Sequence, residues 1–439
     1  MKLTFVGFTI SYSAFAMEFN FSDIEYQAQI GTTLKQFEID TDVENNEYQI
    51  SLKTKFQSDW EQDFLRIHFG FFNRYDPDDD SRNIFDFDEA YVKTTFGNWS
   101  MSAGNHIFNW SVLEIFHPVD NINAKNLEAN GELTERLGQR SIIISKEFEA
   151  SLLEFIVLLE TKHSIFPGQH NRSGPQYALG SPKFVTGDYE LEESPDMAQG
   201  GIRYIHNFDT VDFDFHILRR FDNNNNIFSI PKPANTSPGI SDLDLVPYYF
   251  PVTQLGVAVQ GTWEEYIYKI EVINLDYDNY DIEFFVPHVV IPRTILDHQL
   301  FAAGLEHSKS YENDTEGTYF IEYQTILGTT IEEARGINVF QRDMSIGYRH
   351  NFNDFNGNTT TVAIVSDIDH GREHIFNFSH KLIFKEVWEF NAAVRIIEAP
   401  ESTKFNEITD INDIDPTSLE GLKPLRESDN IFIELTRLF

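Results

Sequence analysis

The chain alternates apolar and polar residues with a period of two over most of its length, and this pattern limits its folds more than any other feature. From 211 to 217 it reads Val-Asp-Phe-Asp-Phe-His-Ile, so the apolar side chains share one face and the polar ones the other. The same pattern is clear at 46–57, 263–276 and 386–398. Because successive side chains of a β-strand point to opposite faces, each segment predicts a strand with one apolar and one polar face.

Eighteen segments of this kind can be counted along the chain, which is an even number. They are 23–31, 46–57, 62–74, 84–97, 98–110, 138–148, 150–162, 197–208, 209–221, 249–262, 263–276, 297–310, 316–328, 340–352, 357–369, 373–385, 386–398 and 428–439. Tight turns are predicted at 97–98, 147–149, 208–209 and 385–386, and long polar loops at 75–83, 111–137, 163–196, 222–248, 277–296 and 399–427. A helix is expected only at 126–137, over a turn or two.

This alternation of short and long connections predicts an all-β fold, a closed antiparallel transmembrane β-barrel of about 18 strands, with 16 as the alternative. Short periplasmic turns and long outer loops are expected. A soluble sandwich or propeller also has alternating strands, but its connections need not follow a short-long order. Closure of the sheet satisfies every backbone N–H and C=O, as hydrocarbon requires. The apolar face should then meet lipid and the polar face should line a lumen.

The first sixteen residues predict a secretory signal peptide. Lys2 forms a minimal positive region, residues 3–13 are mostly apolar, and Ala14-Phe15-Ala16 matches the cleavage pattern of small residues. An N-terminal strand is the alternative. We therefore expect a signal peptide at 1–16 and a single barrel domain at 17–439, located in the outer membrane.

The C-terminus carries a second indication of an outer-membrane location. Ile431, Ile433, Leu435 and Phe439 lie at period two, and the last residue is the phenylalanine. This ending resembles the C-terminal sequence by which the assembly machinery of Gram-negative bacteria recognises outer-membrane barrels. The resemblance implies that Phe439 is recognised in this way. Arg437 stands where an aromatic residue is usual.

Composition excludes several other classes of protein. The chain has 33 Lys and Arg against 70 Asp and Glu, a net charge of −37, and no cysteine. These values exclude a disulfide scaffold, a cysteine-ligated metal site and a general nucleic-acid binder. The expected partners are outer-membrane lipid, lipopolysaccharide and a polar solute, with no nucleic acid and no cofactor.

The polar face of the predicted strands carries about as many acidic as basic groups, so most of the negative excess belongs to the loops. The acidic stretches are 76–80, 190–193 and 401–429. An acidic outer mouth over a more basic interior is therefore expected; a solvated rim without selectivity is the plainer interpretation. Divalent-cation binding by these loops is a weaker hypothesis, since none has the calcium-loop pattern. The predicted pore-lining residues are Arg66, Lys93, Arg203, Lys269, Arg349, Lys381 and Arg395, with Arg66, Arg203, Arg349 and Arg395 expected at the constriction.

The strand at 152–159 is apolar on both faces. An apolar patch inside a water-filled barrel needs a cover, and the loop at 111–137 is the nearest candidate. We expect this loop to fold inward and to narrow the channel against the strand.

Two neighbouring segments carry a family resemblance. Residues 90–110 end in Gly104-Asn105-His106-Ile107-Phe108-Asn109-Trp110, and residues 118–127 contain Pro118-Val119-Asp120-Asn121-Ile122-Asn123. Together they resemble the motif of a group of Gram-negative outer-membrane channels that includes the alginate-export porin. The group has Arg-Gln where this chain has Asn105-His106. The resemblance implies a passive channel of eighteen or a similar number of strands, with Gly104, Trp110, Pro118, Asp120 and Asn123 as its motif residues.

No sequence motif of an enzyme or a metal site was found. The chain lacks H-E-x-x-H, G-x-S-x-G and the phosphate-binding G-x-x-x-x-G-K-[ST] motif. His374 and His380 share a strand face but have no further ligands in sequence. A Ser-His or Asp-His site formed across strands stays open. The leading hypothesis is a non-enzymatic, porin-like outer-membrane channel for a polar small molecule or oligosaccharide, anions in particular. A barrel for hydrophobic compounds and a non-conducting surface or adhesion barrel are the alternatives.

Overall fold

The computed structural model describes residues 3–6, 16–19, 24–37, 47–129, 135–166, 178–186, 191–192, 196–224, 227–231, 244–278, 288–291, 296–354, 357–401 and 421–439. A small antiparallel hairpin of Leu3–Val6 with Ala16–Phe19 precedes the main domain. Cleavage of a signal peptide after residue 16 stays a prediction. Within the described ranges, no helix has the length and apolar character needed to cross a membrane.

The main domain is a closed antiparallel barrel of 18 strands, as predicted. The strands are β1 Ile24–Phe37, β2 Tyr48–Gln62, β3 Leu65–Tyr75, β4 Ile84–Asp86 with Ala90–Phe96, β5 Trp99–His106, β6 Gln139–Glu147, β7 Ser151–Leu158, β8 Gln199–Asn207, β9 Val211–Phe221, β10 Pro251–Trp263, β11 Tyr266–Tyr277, β12 His298–Ser310, β13 Glu316–Leu327, β14 Arg342–Asn351, β15 Thr359–Asp367, β16 His374–Phe384, β17 Trp388–Glu398 and β18 Asn430–Leu438. Closure is direct, because β18 pairs with β1 from Asn430↔Phe37 to Leu438↔Gln29.

Each predicted segment coincides with one strand, although the first two strands are longer than predicted. β1 continues past residue 31 to Phe37, and β2 continues past residue 57 to Gln62. The extension of β1 was missed because Thr32 and Thr33 put a polar side chain on each face. In the barrel, the Thr33 hydroxyl lies 2.6 Å from that of Ser51 on the neighbouring strand.

The two ends of the barrel differ in their connections. One end carries short turns, such as Lys385-Glu386, in which both residues have positive φ (53° and 63°) as type I′ hairpin turns require. The other end carries the long connections. We call these the turn end and the loop end.

The long loops contain more structure than the sequence analysis predicted. Six short strands from three loops form an additional sheet at the loop end: Ala178–Leu179, Lys183–Val185, Leu191–Glu192, Ile227–Pro231, Asp244–Tyr249 and His288–Ile291. A helix, α1 Ile331–Ile337, lies in another loop, with a capping box formed by Thr330 and Glu333. The helix expected at 126–137 is only a 3₁₀ turn at Leu127–Ala129 in the described part of that segment.

The outward face of the barrel is an exposed apolar surface. Exposed aliphatic residues occur on almost every strand, for example Leu34 (40%), Ile270 (39%), Ile346 (53%) and Ile364 (47%). Aromatic residues gather at the turn end, where each strand that runs toward the turns has one at its last residue or within two residues after it. These residues are Phe64, Phe96, Phe148, Phe208, Trp263, Tyr311, Phe352, Phe384 and Phe439. The barrel thus has an apolar band with an aromatic ring at its turn end.

Candidate functional site: the barrel interior and its inward segment

Ion pairs between adjacent strands, or across one intervening strand, line the interior of the barrel. Lys53 of β2 contacts Glu434 of β18 at 3.1 Å, and Lys381 of β16 contacts Glu389 of β17 at 2.7 Å. Inward acidic and basic side chains therefore pair with each other, as expected from the similar numbers of acidic and basic groups on the polar face.

A segment of the long loop after β5 lies inside the barrel; we call residues 107–124 the inward segment. Its apolar residues are almost fully buried: Phe108, Trp110, Leu113, Phe116, Val119, Ile122 and Ala124 are all at most 6% exposed. Backbone of this kind can be buried only if its N–H and C=O groups find partners. The barrel wall supplies several of these partners.

Glu271 of β11 holds one part of the inward segment. Its Oε1 accepts hydrogen bonds from the Ser111 hydroxyl (2.6 Å), the Val112 N–H (2.6 Å) and the Leu113 N–H (3.3 Å). Its Oε2 accepts one from the Val119 N–H at 3.3 Å. A single carboxylate thus satisfies four donors of the segment.

Glu322 of β13 holds the adjoining part in the same manner. Its two oxygens accept hydrogen bonds from the N–H groups of Glu114 (2.6 Å), Ile115 (2.9 Å) and Phe116 (3.2 Å). The two glutamates together fix residues 111–119 against β11 and β13.

Apolar packing holds the other side of the inward segment. Phe108, Trp110 and Ile122 share a buried cluster with Ile156 and Leu158 of β7. Phe155 and Val157 of the same strand are exposed on the outward face. The strand that is apolar on both faces therefore meets the inward segment on its inner side.

Three of the predicted motif residues form the internal frame of the inward segment. The Asp120 carboxylate accepts hydrogen bonds from the N–H groups of Trp110 (2.6 Å) and Ser111 (3.0 Å) and pairs with Arg136. The Asn123 side chain accepts from the Phe108 N–H at 2.7 Å and donates to the backbone at 106 and 137. These contacts tie the start of the segment to its return. Pro118, a fourth motif residue, is buried beside them.

The fifth motif residue, Gly104, lies on the wall beneath this frame. Its φ is +145°, and a Cβ placed there would lie 2.2 Å from the carbonyl oxygen of Ala90 and 2.6 Å from the Cα of Tyr91. Only glycine allows β5 and β4 to approach this closely.

The tip of the inward segment carries a carboxylate between two basic groups of the wall. Glu114 contacts Arg349 of β14 at 2.8 Å and Lys269 of β11 at 3.4 Å. Burial raises the pKa of Glu114, but the charges of Arg349 and Lys269 outweigh that effect and hold the pKa below its usual range. Glu114 is therefore ionised at neutral pH and links the segment to two separated strands.

The predicted pore-lining residues fall into two groups. Arg66, Lys381 and Arg349 keep 43%, 41% and 33% of their side chains exposed. Lys93 is half-buried opposite Arg66, and Arg395 donates to Asn377 at 2.9 Å. These five lie on the wall formed by β14–β18 and β1–β5.

The other two predicted residues are covered, which differs from the open position that the sequence suggested. Lys269 is 7% exposed and lies between Glu114 and Glu306. Arg203 is 15% exposed, pairs with Glu154 and Asp214, and stacks at 4.6 Å on the ring of Trp110. The covering residues come from a loop distant in sequence, so the alternation of β8 and β11 alone did not reveal them.

Acidic residues of the loop at 76–80 form contacts within the protein, whereas the predicted acidic mouth would have them face solvent. Asp76 is 1% exposed; it pairs with Arg82 at 2.8 Å and accepts from the N–H groups of Asp78 and Asp79. Asp79 in turn caps the 3₁₀ turn Asp80–Arg82. Most of the other two acidic stretches, 190–193 and 401–429, lies outside the described residues.

A buried ion-pair cluster at the loop end was not anticipated. Arg335 of α1 contacts Glu373 at 2.5 Å and Asp367 at 3.6 Å, and Glu373 also accepts from the Leu422 N–H at 2.9 Å. The cluster joins α1, the start of β16 and the segment before β18. Among the described residues, no group of three or more His, Asp or Glu side chains is arranged to hold a metal ion.

Comparison with known proteins gives structural likeness only. No protein family and no curated protein matches the chain. Of the solved structures, Pseudomonas aeruginosa OccK11 (OpdR) is similar with a TM-score of 0.49 at 8% identity, over 95% of this chain and 96% of that one. Pseudomonas aeruginosa OccK3 (OpdO) gives 0.49 at 8%, over 95% of each chain. A mutant of the Rh. blastica porin gives 0.41 at 10%, over 95% and 100%. Since these TM-scores are low, the barrel assignment stands on the strand pairing described above.

Proposed function

We propose that the chain is an outer-membrane channel through which small polar solutes diffuse, anions in preference to cations. One observation carries the proposal: a closed barrel presents an exposed apolar band outward and partly exposed, ion-paired charges inward. A soluble protein rarely exposes so large an apolar surface, whereas a barrel in hydrocarbon requires it.

The inward segment supports a channel with a narrowed lumen. Glu271 and Glu322 hold the segment against β11 and β13, and Arg349 of β14 contacts its tip at Glu114. The remaining wall keeps the partly exposed side chains of Arg66 and Lys381. A solute that passes between them meets guanidinium and ammonium groups on one side. Such groups favour anions such as carboxylates and phosphates.

The alternative of a hydrophobic-compound barrel rests on the inward apolar residues of β7, Ile156 and Leu158. Both are buried under Phe108 and Trp110, so this part of the strand offers no open apolar surface to a passing ligand. An oligosaccharide substrate and kinship with the alginate-export-like channels are finer possibilities within the proposed class. A non-conducting adhesion barrel is the remaining alternative, and conductance distinguishes it.

The experiment is ion conduction in a planar lipid bilayer under a salt gradient. The wild-type protein should carry a steady current with a reversal potential that indicates anion preference. R349A/R395A should change the reversal potential in the direction of greater cation permeability, because two inward positive charges are lost. The shift should be largest in dilute salt, since at about 0.1 M the screening length is already about 10 Å.

The matched control is R140Q. Arg140 pairs with Glu160 and is 58% exposed, and it lies on the outward face of β6. Its removal should leave the reversal potential unchanged. Absence of current in the wild type would remove the channel proposal, and an unchanged potential in R349A/R395A would remove the anion preference alone.

A further inference from the structure

Two cations on the outward face of the turn end have the same aromatic surroundings. Lys146 of β6 lies 4.9 Å from the ring centre of Trp99 and 5.1 Å from that of Phe148. Arg437 of β18 lies 5.5 Å from the ring of Trp388 and 4.9 Å from that of Phe439. In each case the tryptophan is the direct cross-strand partner of the cation. In each case the phenylalanine follows two residues later.

This arrangement holds the two cations in place without neutralising them. A ring face attracts a cation but leaves its N–H donors available for hydrogen bonds. Within the described ranges, neither Lys146 nor Arg437 forms an ion pair or a hydrogen bond through its side chain. Other basic groups of the barrel are paired, such as Lys53 with Glu434 and Arg219 with Asp278.

The depth of the two cations identifies what they meet. The nine aromatic residues that finish the strands form a ring, and such rings lie at the headgroup level of a membrane. Lys146 and Arg437 lie two residues inside this ring, and their charged groups lie about 5 Å from the rings of Phe148 and Phe439, two aromatic residues that finish strands or follow them directly. On the periplasmic side of an outer membrane, the anions at this depth are phospholipid phosphates.

We propose that the Lys146–Trp99–Phe148 and Arg437–Trp388–Phe439 clusters each bind the phosphate of an anionic phospholipid. The cation forms charge-assisted hydrogen bonds to the phosphate, and the two rings pack beside the upper acyl chain. The inference rests on the proposed membrane location but not on ion conduction.

A third tryptophan provides an internal contrast. Trp263 finishes β10 at the same level and is 67% exposed, but its cross-strand partner is Tyr266 and not a cation. The residue two positions before it is Gly261, and Glu264 and Glu265 follow it. The carboxylates next to Trp263 should repel an anionic headgroup. Lipid selection is therefore expected at Trp99 and Trp388 and not at Trp263.

The experiment uses tryptophan quenching in phosphatidylcholine vesicles that contain a minor fraction of phosphatidylglycerol. Two vesicle preparations of the same lipid composition are compared. In one the phosphatidylglycerol carries bromine near the headgroup end of an acyl chain, and in the other the phosphatidylcholine does. The reporter protein is the full-length chain with W60F/W263F, in which Trp99 and Trp388 face lipid and Trp110 lies inside the barrel. Brominated phosphatidylglycerol should quench as if enriched about fivefold at each cluster, the value expected for one cation at a membrane surface.

Three further variants test whether the two clusters bind the anionic lipid. K146Q/R437Q should abolish the enrichment, and K146R/R437K should retain it. W60F/W99F/W388F, which leaves Trp263 as the lipid-facing reporter, should show none. Quenching of the reporter by each lipid in proportion to its share of the vesicle, an enrichment that survives K146Q/R437Q, or an equal enrichment at Trp263 would each overturn the proposal.

Two further measurements distinguish a loss of lipid binding from misfolding and from a loss of channel function. K146Q alone should halve the effect, which guards against misassembly caused by changes next to the C-terminal Phe439. Bilayer conductance of K146Q/R437Q should equal that of the wild type, since both cations face away from the interior. Loss of lipid selection with normal conductance therefore bears on the clusters alone.

Discussion

Replacing both anchoring glutamates, E271Q/E322Q, should release the inward segment and raise the single-channel conductance. The two carboxylates accept hydrogen bonds from seven donors of residues 111–119. Glutamine keeps the shape of glutamate, but its amide group presents N–H groups toward the N–H groups of the segment. A buried donor left without its acceptor costs about 1–3 kcal/mol, so losing even two of these hydrogen bonds favours the detached state by about thirtyfold or more.

Single-channel recording tests this expectation. The double variant should show a larger mean conductance and more frequent transitions between levels than the wild type. The matched control is E434Q, because Glu434 pairs with Lys53 on the other wall and has no described contact with the segment. Conductance of E271Q/E322Q equal to that of the wild type would show that the segment does not narrow the ion path.

Replacing Gly104 by alanine should strongly destabilise the barrel. The new Cβ would lie 2.2 Å from the carbonyl oxygen of Ala90 and 2.6 Å from the Cα of Tyr91, and φ would remain at +145°. Because the clashing atoms are backbone atoms of a paired strand, they cannot move without breaking the pairing of β4 with β5. We expect a loss of at least about 3 kcal/mol in the free energy of unfolding, within the range of severe packing and backbone defects.

The matched control is G97A, at a turn where an added Cβ meets nothing within 4 Å and φ is +62°. This change should cost only the strain of a left-handed backbone, about 1–2 kcal/mol. Refolding yield in detergent and urea midpoints, read from the heat-dependent mobility of folded barrels on gels, compare the two. G104A as stable as G97A would contradict the close approach of β4 and β5.

The strands were predictable from sequence because each carries its own evidence. Because a barrel strand contacts a different medium on each face, its own residues must alternate between apolar and polar. In β17, for example, Phe390 and Val394 lie on the face opposite Asn391 and Arg395. Errors arose where polar residues occupy both faces, as at Thr32 and Thr33 of β1. The helix α1 was missed, although Thr330 and Glu333 have the spacing of a capping box.

Features that depend on contacts between distant segments of the chain could not be predicted from the sequence. The loop-end sheet pairs Lys183 and Phe184 with Tyr248 and Tyr249, which belong to a different loop. The roles of Glu271 and Glu322 depend on the inward segment, whose contacting residues lie 152 to 208 positions earlier in the chain. From the sequence, the two glutamates could be recognised only as inward acids. Likewise the burial of Lys269 and Arg203 is decided by Glu114 and Trp110.

Accessibility of single cysteines along β17 tests most directly whether the barrel separates two media. The chain has no cysteine of its own, so no background residue needs removal. Asn391 and Ala393 share the inward face of Glu389 and Arg395, and Ala392 and Val394 share the face of exposed Ile396.

In lipid vesicles, a membrane-impermeant maleimide should label N391C and A393C and leave A392C and V394C unlabelled. A thiol in hydrocarbon stays protonated and unreactive, whereas a thiol in water ionises. Equal labelling of all four positions, or labelling of A392C and V394C alone, would contradict a water-filled interior enclosed by a lipid-facing wall.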